Sequence, residues 1–357
     1  MKKIVLTGGG TAGHVTPNIA LIPELTRRGY EILYIGSYNG IEKKLIEEQG
    51  LPYYGISSGK LRRYFDVKNF SDPFRVIKGF HEAGQILRAQ KPDVVFSKGG
   101  FVSVPVAVAA GRMGIPVVIH ESDMTPGLAN RISSRYASRF CCNFPETVSS
   151  LPEGKAILTG TPIRSELLSG DPKAGLSFCR FRPDKPVIMV IGGSLGAVAV
   201  NENIRRILPR LLPDFQVVHL CGKGKTDDSL TGTPGYVQFE YIKDELPDLF
   251  AMADIVVSRA GANAICELLA LKKPNLLIPL SANASRGDQI LNARSFERQG
   301  YSLVLEEQDI TEDLLLDTIH RLYNEREQFA AAMEAAPGLD SITKICDLLD
   351  SLVTARP

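Results

Sequence analysis

The chain of 357 residues has no tryptophan, no Cys-x-x-Cys pair, no surplus of either charge and no long apolar run. Each absence removes a class of protein. Lys and Arg number 41 against 40 Asp and Glu, a formal net charge of +1, so any affinity for nucleic acid or anionic lipid has to reside in a local patch. The six cysteines (Cys141, Cys142, Cys179, Cys221, Cys266 and Cys346) lie mostly in apolar runs, the usual setting of reduced, buried thiols. A disulfide scaffold is excluded and a cytoplasmic compartment is expected. A membrane helix needs ~18 consecutive apolar residues. The longest run here, 101–119, is interrupted by Pro105, Gly111, Arg112, Gly114 and Pro116. The opening MKKIVLTGGG has too short an apolar stretch for a signal peptide and reads as a first strand. Any membrane contact is therefore expected to be peripheral.

What is present is the composition of an ordinary globular protein, 44% hydrophobic and 23% charged with 32 glycines. Single cores stop growing at ~250–300 residues, so two domains are expected. Short apolar runs at 4–6, 31–35, 94–96, 117–119, 139–142 and 156–159 alternate with helix-like or Gly/Pro segments, including helices at about 17–28 and 41–49. That alternation is the βαβ rhythm of a parallel sheet. After Lys185-Pro186 the rhythm restarts, with strands expected at 187–191, 216–220, 237–239, 255–257, 275–279 and 302–305. Two copies of one α/β architecture follow, 1–163 and 164–340, with the Gly-, Pro- and charge-rich stretch 160–186 at their boundary. An amphipathic C-terminal segment from about 341 suits either half as a packing partner.

The stretch Leu6-Thr7-Gly8-Gly9-Gly10-Thr11-Ala12-Gly13-His14 follows a strand and opens a helix. Glycines there let a ligand approach the backbone, and a helix N-terminus offers unpaired N–H groups and about half a positive charge to an anion. Gly8, Gly10 and Gly13 also satisfy G-x-G-x-x-G, but a dinucleotide site wants an acidic residue ending the second strand, which ends Tyr34-Ile35-Gly36-Ser37 instead. A tight strand-to-helix turn calls for the same glycines. His14, at the mouth of the loop, is placed to take a proton near neutral pH, although a cap or a packing residue would sit there equally well. The loops Ser97-Lys98-Gly99-Gly100-Phe101 and Gly192-Gly193-Ser194-Leu195-Gly196-Ala197 repeat the arrangement after later strands. Loops at the carboxyl ends of parallel strands line the crevice where such sheets bind ligands, and the third suits a diphosphate through its amides and the Ser194 hydroxyl.

Further on, Ser258-Arg259-Ala260-Gly261-Ala262-Asn263 leads into a helix carrying Glu267. A carboxylate one turn into a helix can accept two hydrogen bonds from a ribose diol, or can simply be a helix charge. Ser285-Arg286-Gly287-Asp288-Gln289 brings an amide able to donate to and accept from sugar hydroxyls. Residues 60–91 hold eight basic side chains against three acidic ones, net +5, interleaved with Tyr64, Phe65, Phe70, Phe74, Ile77 and Phe80. Such a surface suits anionic lipid, and an amphipathic helix with its apolar face in the core has the same pattern. No recognised nucleic-acid motif accompanies it, so nucleic acid is not an expected partner.

Taken in order, GGGTAGHVTP, KGGF, HESDMTPGLAN, TGTPIR, GGSLGA, SRAGANAICE and RGDQILNA span nearly the whole chain and resemble the MurG family of UDP-N-acetylglucosamine transferases. The resemblance implies a GT-B fold, in which two Rossmann-like domains with parallel sheets face each other across a cleft. In that family the N-terminal domain takes the acceptor and the membrane, and the C-terminal domain takes the donor nucleotide. Implied too is inverting transfer of N-acetylglucosamine from UDP-N-acetylglucosamine to the 4-hydroxyl of undecaprenyl-pyrophosphoryl-muramyl-pentapeptide, without a cofactor, on an anionic membrane surface at the cytoplasmic face in peptidoglycan synthesis.

Residue by residue, the resemblance puts Thr11, Ala12 and Gly13 against the donor sugar and its phosphates, His14 in the role of base, and Arg164 and Ser194 on the diphosphate. It puts Ile242 and the run Ala262, Asn263, Ala264, Ile265, Cys266 and Glu267 on uridine, with Glu267 at the ribose diol and Gln289 near the sugar. The chain departs from the family pattern at Ala12, where many relatives have glycine, at Phe101, where they have tyrosine, and at Asp123. An asparagine touching the donor sugar is common at that last position, and a carboxylate cannot donate as an amide does. No Asp-x-Asp pair is present to hold a divalent ion, so metal is expected to be dispensable. The rival expectations are a same-fold transferase acting on another lipid such as diacylglycerol, a nucleotide-sugar epimerase, an NAD-dependent oxidoreductase, and a non-catalytic lipid-binding protein.

Overall fold

The computed structural model describes residues 2–59, 72–193, 196–282, 287–337 and 340–354. It divides into two compact units, one made of Met1–Arg164 with Asp340–Pro357 and the other of Ser165–Leu339. The first contains β1 (Lys2–Thr7), β2 (Tyr30–Ser37), β3 (Tyr53–Ile56), β4 (Val94–Ser97), β5 (Val117–Glu121), β6 (Arg139–Cys142) and β7 (Ala156–Leu158). All pair in parallel, in the order β3-β2-β1-β4-β5-β6-β7. The second contains β8 (Val187–Ile191), β9 (Gln216–Leu220), β10 (Tyr236–Phe239), β11 (Ile255–Ser258), β12 (Asn275–Leu277) and β13 (Ser302–Val304), again all parallel, in the order β10-β9-β8-β11-β12-β13. Each sheet is Rossmann-like. Strand order reverses beside the first strand of each, at β1/β4 and at β8/β11, and the crevice at the carboxyl ends there is where such sheets take ligands.

Both faces of a parallel sheet are covered, so its strands are nearly continuous apolar runs whose successive side chains enter different cores. On β1, Ile4 and Leu6 join Leu21 and Leu25 of the helix Thr16–Arg27. Val5 between them joins Leu87 of the helix Asp72–Gln90 and Val106 and Ala110 of the helix Ser103–Arg112. One strand escapes the sequence pattern altogether. β3 is a four-residue strand at the edge of the sheet, with Gly55 in it and only Ile56 fully buried, so it carries no apolar run to announce itself.

The helix Ser341–Thr354 lies in the first unit, where Ile345, Cys346 and Leu349 enter the same core as Leu21 and Leu25. Its polar edge is tied down by charge. Asp350 accepts from Lys2 Nζ at 2.6 Å, Arg28 Nη1 at 2.8 Å and the Tyr30 hydroxyl at 2.9 Å, and Arg28 also reaches Asp347 at 2.6 Å. Burial pushes the Asp350 carboxyl up, but the bonds from Lys2, Arg28 and Tyr30 outweigh it and hold the carboxyl below its usual range. A carboxyl lowered by folding stabilises the native state above its unfolded pKa and loses that effect as pH falls through the folded value. Asp350→Ala is therefore expected to lower stability at pH 7 by about 1–2 kcal/mol. The difference in Tm from the parent should shrink towards zero in acid; an equal difference at pH 7 and in acid would show that charge plays no part.

Candidate active site

In the first unit the loops after β1 and β4 meet at the switch point. Gly100 has φ of +85°, and a Cβ there would stand 2.2 Å from the Gly9 carbonyl oxygen, so only glycine fits. Beyond Gly10 the chain makes one 3-10 turn, Ala12–His14, before the helix Thr16–Arg27 begins. Thr11 and Ala12 are exposed, Gly13 and His14 half-buried. His14 Nδ1 lies 3.0 Å from the Gly9 carbonyl oxygen and 3.2 Å from Thr11 Oγ1. A carbonyl only accepts, so the ring proton belongs on Nδ1 and the lone pair on Nε2. Burial and the Lys98 ammonium lower the His14 pKa, outweighing the Gly9 carbonyl, Asp123 and Glu42, which raise it. The shift favours the neutral imidazole, the form that can accept a proton.

Two side chains hold these loops from beneath. Glu42, at the start of the helix Ile41–Glu47 and fully buried, accepts from Gly10 N–H at 3.2 Å, from Ser37 N–H at 3.0 Å and from the Ser37 hydroxyl at 2.5 Å. A Cβ on Gly9 would fall 2.5 Å from that carboxylate, so glycine at 9 makes room for Glu42. The carboxylate lies just beyond β2, the neighbourhood where a dinucleotide fold keeps its ribose-binding acid, but it is committed to the protein's own backbone. Lys98, also buried, donates from Nζ to His120 Nδ1 at 2.9 Å and to Ser122 Oγ. His120 Nε2 in turn donates to the Gly160 carbonyl at 2.9 Å, and burial and Lys98 keep His120 well below its ordinary pKa.

Asp123 is half-buried in the loop after β5. Its N–H donates to Glu121 Oε1 at 3.2 Å, while Glu121 Oε2 accepts from Gly127 N–H at 3.0 Å and Asn130 Nδ2 at 2.8 Å. Burial raises the Glu121 pKa against the pull of Asn130. Arg164, half-buried, is the last residue of this unit's first segment.

In the second unit the described residues expected at the donor follow the carboxyl ends of strands. Gly192 and Gly193 follow β8, with Gly196 N–H returning to the Gly193 carbonyl at 2.9 Å, and the helix Val198–Leu211 begins beyond. Ser194 and Leu195 lie outside the described residues. Ile242 follows β10 and is half-buried. After β11, the helix Ala262–Ala270 starts at the switch point with Gly261 as its cap, and a helix's first turn presents N–H groups with no intrahelical acceptor. Asn263, Ala264 and Glu267 are half-buried, whereas Ala262, Ile265 and Cys266 are buried. The side chains of Ile265 and Cys266 therefore serve the core, and what this run offers a ligand is backbone with Asn263 and Glu267. Gln289, in the first turn of the helix Asp288–Arg298, accepts from Leu280 N–H at 3.0 Å through Oε1, so its Nε2 is the group with which it would donate to a ligand. Arg259 is buried and pins the loop by donating to the carbonyls of Ile278 and Pro279 at 3.1 and 3.2 Å and pairing with Glu307 at 2.5 Å.

The Glycosyltransferase family 28 N-terminal domain matches residues 4–141 and the Glycosyltransferase family 28 C-terminal domain matches residues 187–349. The chain belongs to glycosyltransferase family 28. Among its relatives in family 28, a chain of Lachnospira eligens is 68% identical over 349 residues, 98% of this chain and 99% of the relative. One of Lachnoclostridium phytofermentans is 61% identical over 352 residues, 99% of each. Both carry the name UDP-N-acetylglucosamine--N-acetylmuramyl-(pentapeptide) pyrophosphoryl-undecaprenol N-acetylglucosamine transferase. The crystal structure of Acinetobacter baumannii MurG superposes with a TM-score of 0.79 at 26% identity, covering 98% of this chain and all of that one. A UDP-GlcNAc 2-epimerase of Neisseria meningitidis shares the fold alone, with a TM-score of 0.70 at 14% identity over 98% of this chain and 100% of its own. The chain is a glycosyltransferase of the expected α/β GT-B class.

Sequence reasoning missed the supports of this family 28 site. Glu42 stands on a helix that local pattern shows only as charged, and nothing in its neighbours says that it turns back towards Gly10. Lys98 was legible as part of KGGF but not as buried, and Arg259 as part of SRAGAN but not as the pin for residues 278–279.

Proposed function

We propose that this family 28 chain transfers N-acetylglucosamine from UDP-N-acetylglucosamine to the 4-hydroxyl of undecaprenyl-pyrophosphoryl-muramyl-pentapeptide, with inversion at the anomeric carbon. The observation that carries the chemistry is His14 Nδ1 at 3.0 Å from the Gly9 carbonyl oxygen, a contact that calls for the ring proton on Nδ1 and leaves the lone pair on Nε2. The names of the full-length relatives supply the substrate pair. In the step, His14 Nε2 takes the hydroxyl proton as the acceptor oxygen bonds to the anomeric carbon. The bond to the β-phosphate oxygen breaks, and its electron pair leaves with UDP. By the family resemblance we assign Arg164 and Ser194 to the diphosphate, and the backbone N–H groups at the start of the helix Val198–Leu211 suit the charge that grows there. We assign the donor nucleotide to the second unit, with Ile242 and residues 262–267 on uridine, Glu267 on the ribose diol and Gln289 on the sugar. By the same resemblance we assign Thr11, Ala12, Gly13 and Asp123 of the first unit to the donor sugar.

We also assign the acceptor and a peripheral contact with the cytoplasmic face of the membrane to the first unit. Residues 60–71 of the basic and aromatic stretch 60–91 lie outside the described residues, including Lys60, Arg62, Arg63, Tyr64, Phe65, Lys68 and Phe70. The described part exposes Arg75, Ile77 and Lys78, and the packed series of helices continues to Leu128–Ser133, which exposes Leu128 and Ile132 beside Arg131. Apolar side chains standing out among arginines and lysines suit an anionic lipid surface. Among the described residues no helix is long and apolar enough to cross a membrane.

The test is transfer of radiolabelled N-acetylglucosamine to the muramyl-pentapeptide lipid in vesicles, with diacylglycerol as a parallel acceptor. Label is expected in the muramyl product alone, unchanged by EDTA and faster when the vesicles contain anionic lipid. Label in diacylglycerol alone would overturn the acceptor, loss of activity with EDTA would overturn the metal-free reading, and indifference to anionic lipid would overturn the membrane contact.

A further inference from the structure

Lys98 is 1% exposed at the head of the second glycine loop, a buried cation that the chemistry above leaves without a role. An ammonium removed from water is costly unless it is held by hydrogen bonds. Lys98 is so held by His120 Nδ1 and Ser122 Oγ, which fasten the end of β4 to the end of β5. Ser122 leads directly into Asp123, whose own N–H is fixed by Glu121. The other side of the lysine faces the first loop. A Cβ on Gly8 would lie 2.5 Å from the His14 carbonyl oxygen and 3.2 Å from Lys98 Cβ, so lysine and histidine flank the same glycine. A Cβ on Gly99, the residue after Lys98, would lie 3.7 Å from His14 Cδ2 and 3.4 Å from Asn130 Oδ1, and Asn130 bonds the same Glu121 that holds Asp123 N–H, so the imidazole stands over the strand ends that carry Lys98 and Asp123.

We propose that Lys98 and Asp123 are an opposed pair of positioning residues that tune His14 as the proton acceptor, the ammonium of one offsetting the carboxylate of the other. The proposal rests on the reading of His14 as the base. The charged groups that act on His14 are Lys98 from the end of β4, Asp123 from the loop after β5 and Glu42 from the helix Ile41–Glu47. Lys98 disfavours the imidazolium and the two carboxylates favour it. Removing the ammonium should therefore make His14 easier to protonate, removing the Asp123 charge should make it harder, and removing both should largely cancel.

The experiment is an NMR titration of the five histidines in the full chain, with the His14 signal assigned by its loss in His14→Ala and His81 and His320 serving as references within the molecule. In Lys98→Met the His14 midpoint is expected to move up, in Asp123→Asn down, and in the double variant to fall between the two. The pH profile of kcat/KM should follow, with the ratio of activity at pH 6 to that at pH 8 falling about threefold in Lys98→Met. A midpoint that stays in place in either single variant would overturn the proposal, as would His81 and His320 moving with it. If Lys98→Met does not fold, Asp123→Asn alone decides, because its side chain is half-buried and its midpoint has to fall. Midpoints that move as expected in a chain whose His14→Ala variant keeps normal turnover would sink the role of base and leave the electrostatic pairing standing.

Discussion

His14→Ala is expected to lower kcat by ~10²–10⁴-fold with little change in the KM for the donor, because the lost interaction is made with a proton that moves only in the transition state. The variant should fold normally. His14 is half-buried and its ring is anchored by the Gly9 carbonyl and the Thr11 hydroxyl, both in a loop whose shape Glu42 and Gly100 already impose. Burial and Lys98 lower the His14 pKa, so the parent's activity should be flat through neutral pH and fall only on the acid side, where the imidazole takes its proton before the substrate can supply one. The residual activity of His14→Ala should lack that acid limb. Near-normal turnover in His14→Ala would remove the residue from the mechanism.

Gly100→Ala is expected to damage both stability and turnover. An L-residue in the left-handed region costs ~1–2 kcal/mol by itself. The larger part comes from the Cβ, which would lie 2.2 Å from the Gly9 carbonyl oxygen and has no flexible neighbour to displace. Together these should cost about 3 kcal/mol or more. The two loops must separate to admit the methyl group, and a misplacement of about 1 Å in a catalytic loop costs on the order of 100-fold in rate. Gly10→Ala is the matched control, since Gly10 has φ of +87° but a Cβ there meets nothing within 4 Å. It should show the backbone cost alone. Equal Tm losses in the two variants would refute close packing of the loops as the reason for glycine at 100.

The strands of both sheets were legible because a parallel strand covered on both faces is an unbroken apolar run, and such runs stand out against the polar helices that follow them. Most observed strands begin and end within a residue or two of the expected positions. β3 was not legible, since an edge strand with a glycine has little to bury. The glycine loops were legible for a related reason, as the turn from strand to helix leaves its mark in neighbouring residues. What each glycine is for was not. Gly9 makes room for the Glu42 carboxylate and Gly100 for the Gly9 carbonyl, and both partners come from elsewhere in the chain. The run 262–267 reads as a continuous ligand-binding motif, yet helical periodicity turns Ile265 and Cys266 into the core and leaves Asn263 and Glu267 outward. The six cysteines are all free and buried, as their apolar settings suggested.

By itself the sequence determined that this chain folds as two α/β units with glycine loops at the strand ends, because hydrophobic periodicity and turn chemistry act over a few residues. Tertiary structure alone decided which unit the C-terminal helix joins, since Lys2, Arg28 and Tyr30 become a site for Asp350 only after β1, β2 and the first helix have assembled. It alone also placed Lys98 beneath the loop of His14 instead of in water. The physical reason is the same in both cases: a charge is held by partners gathered from distant segments, and no local pattern records their approach.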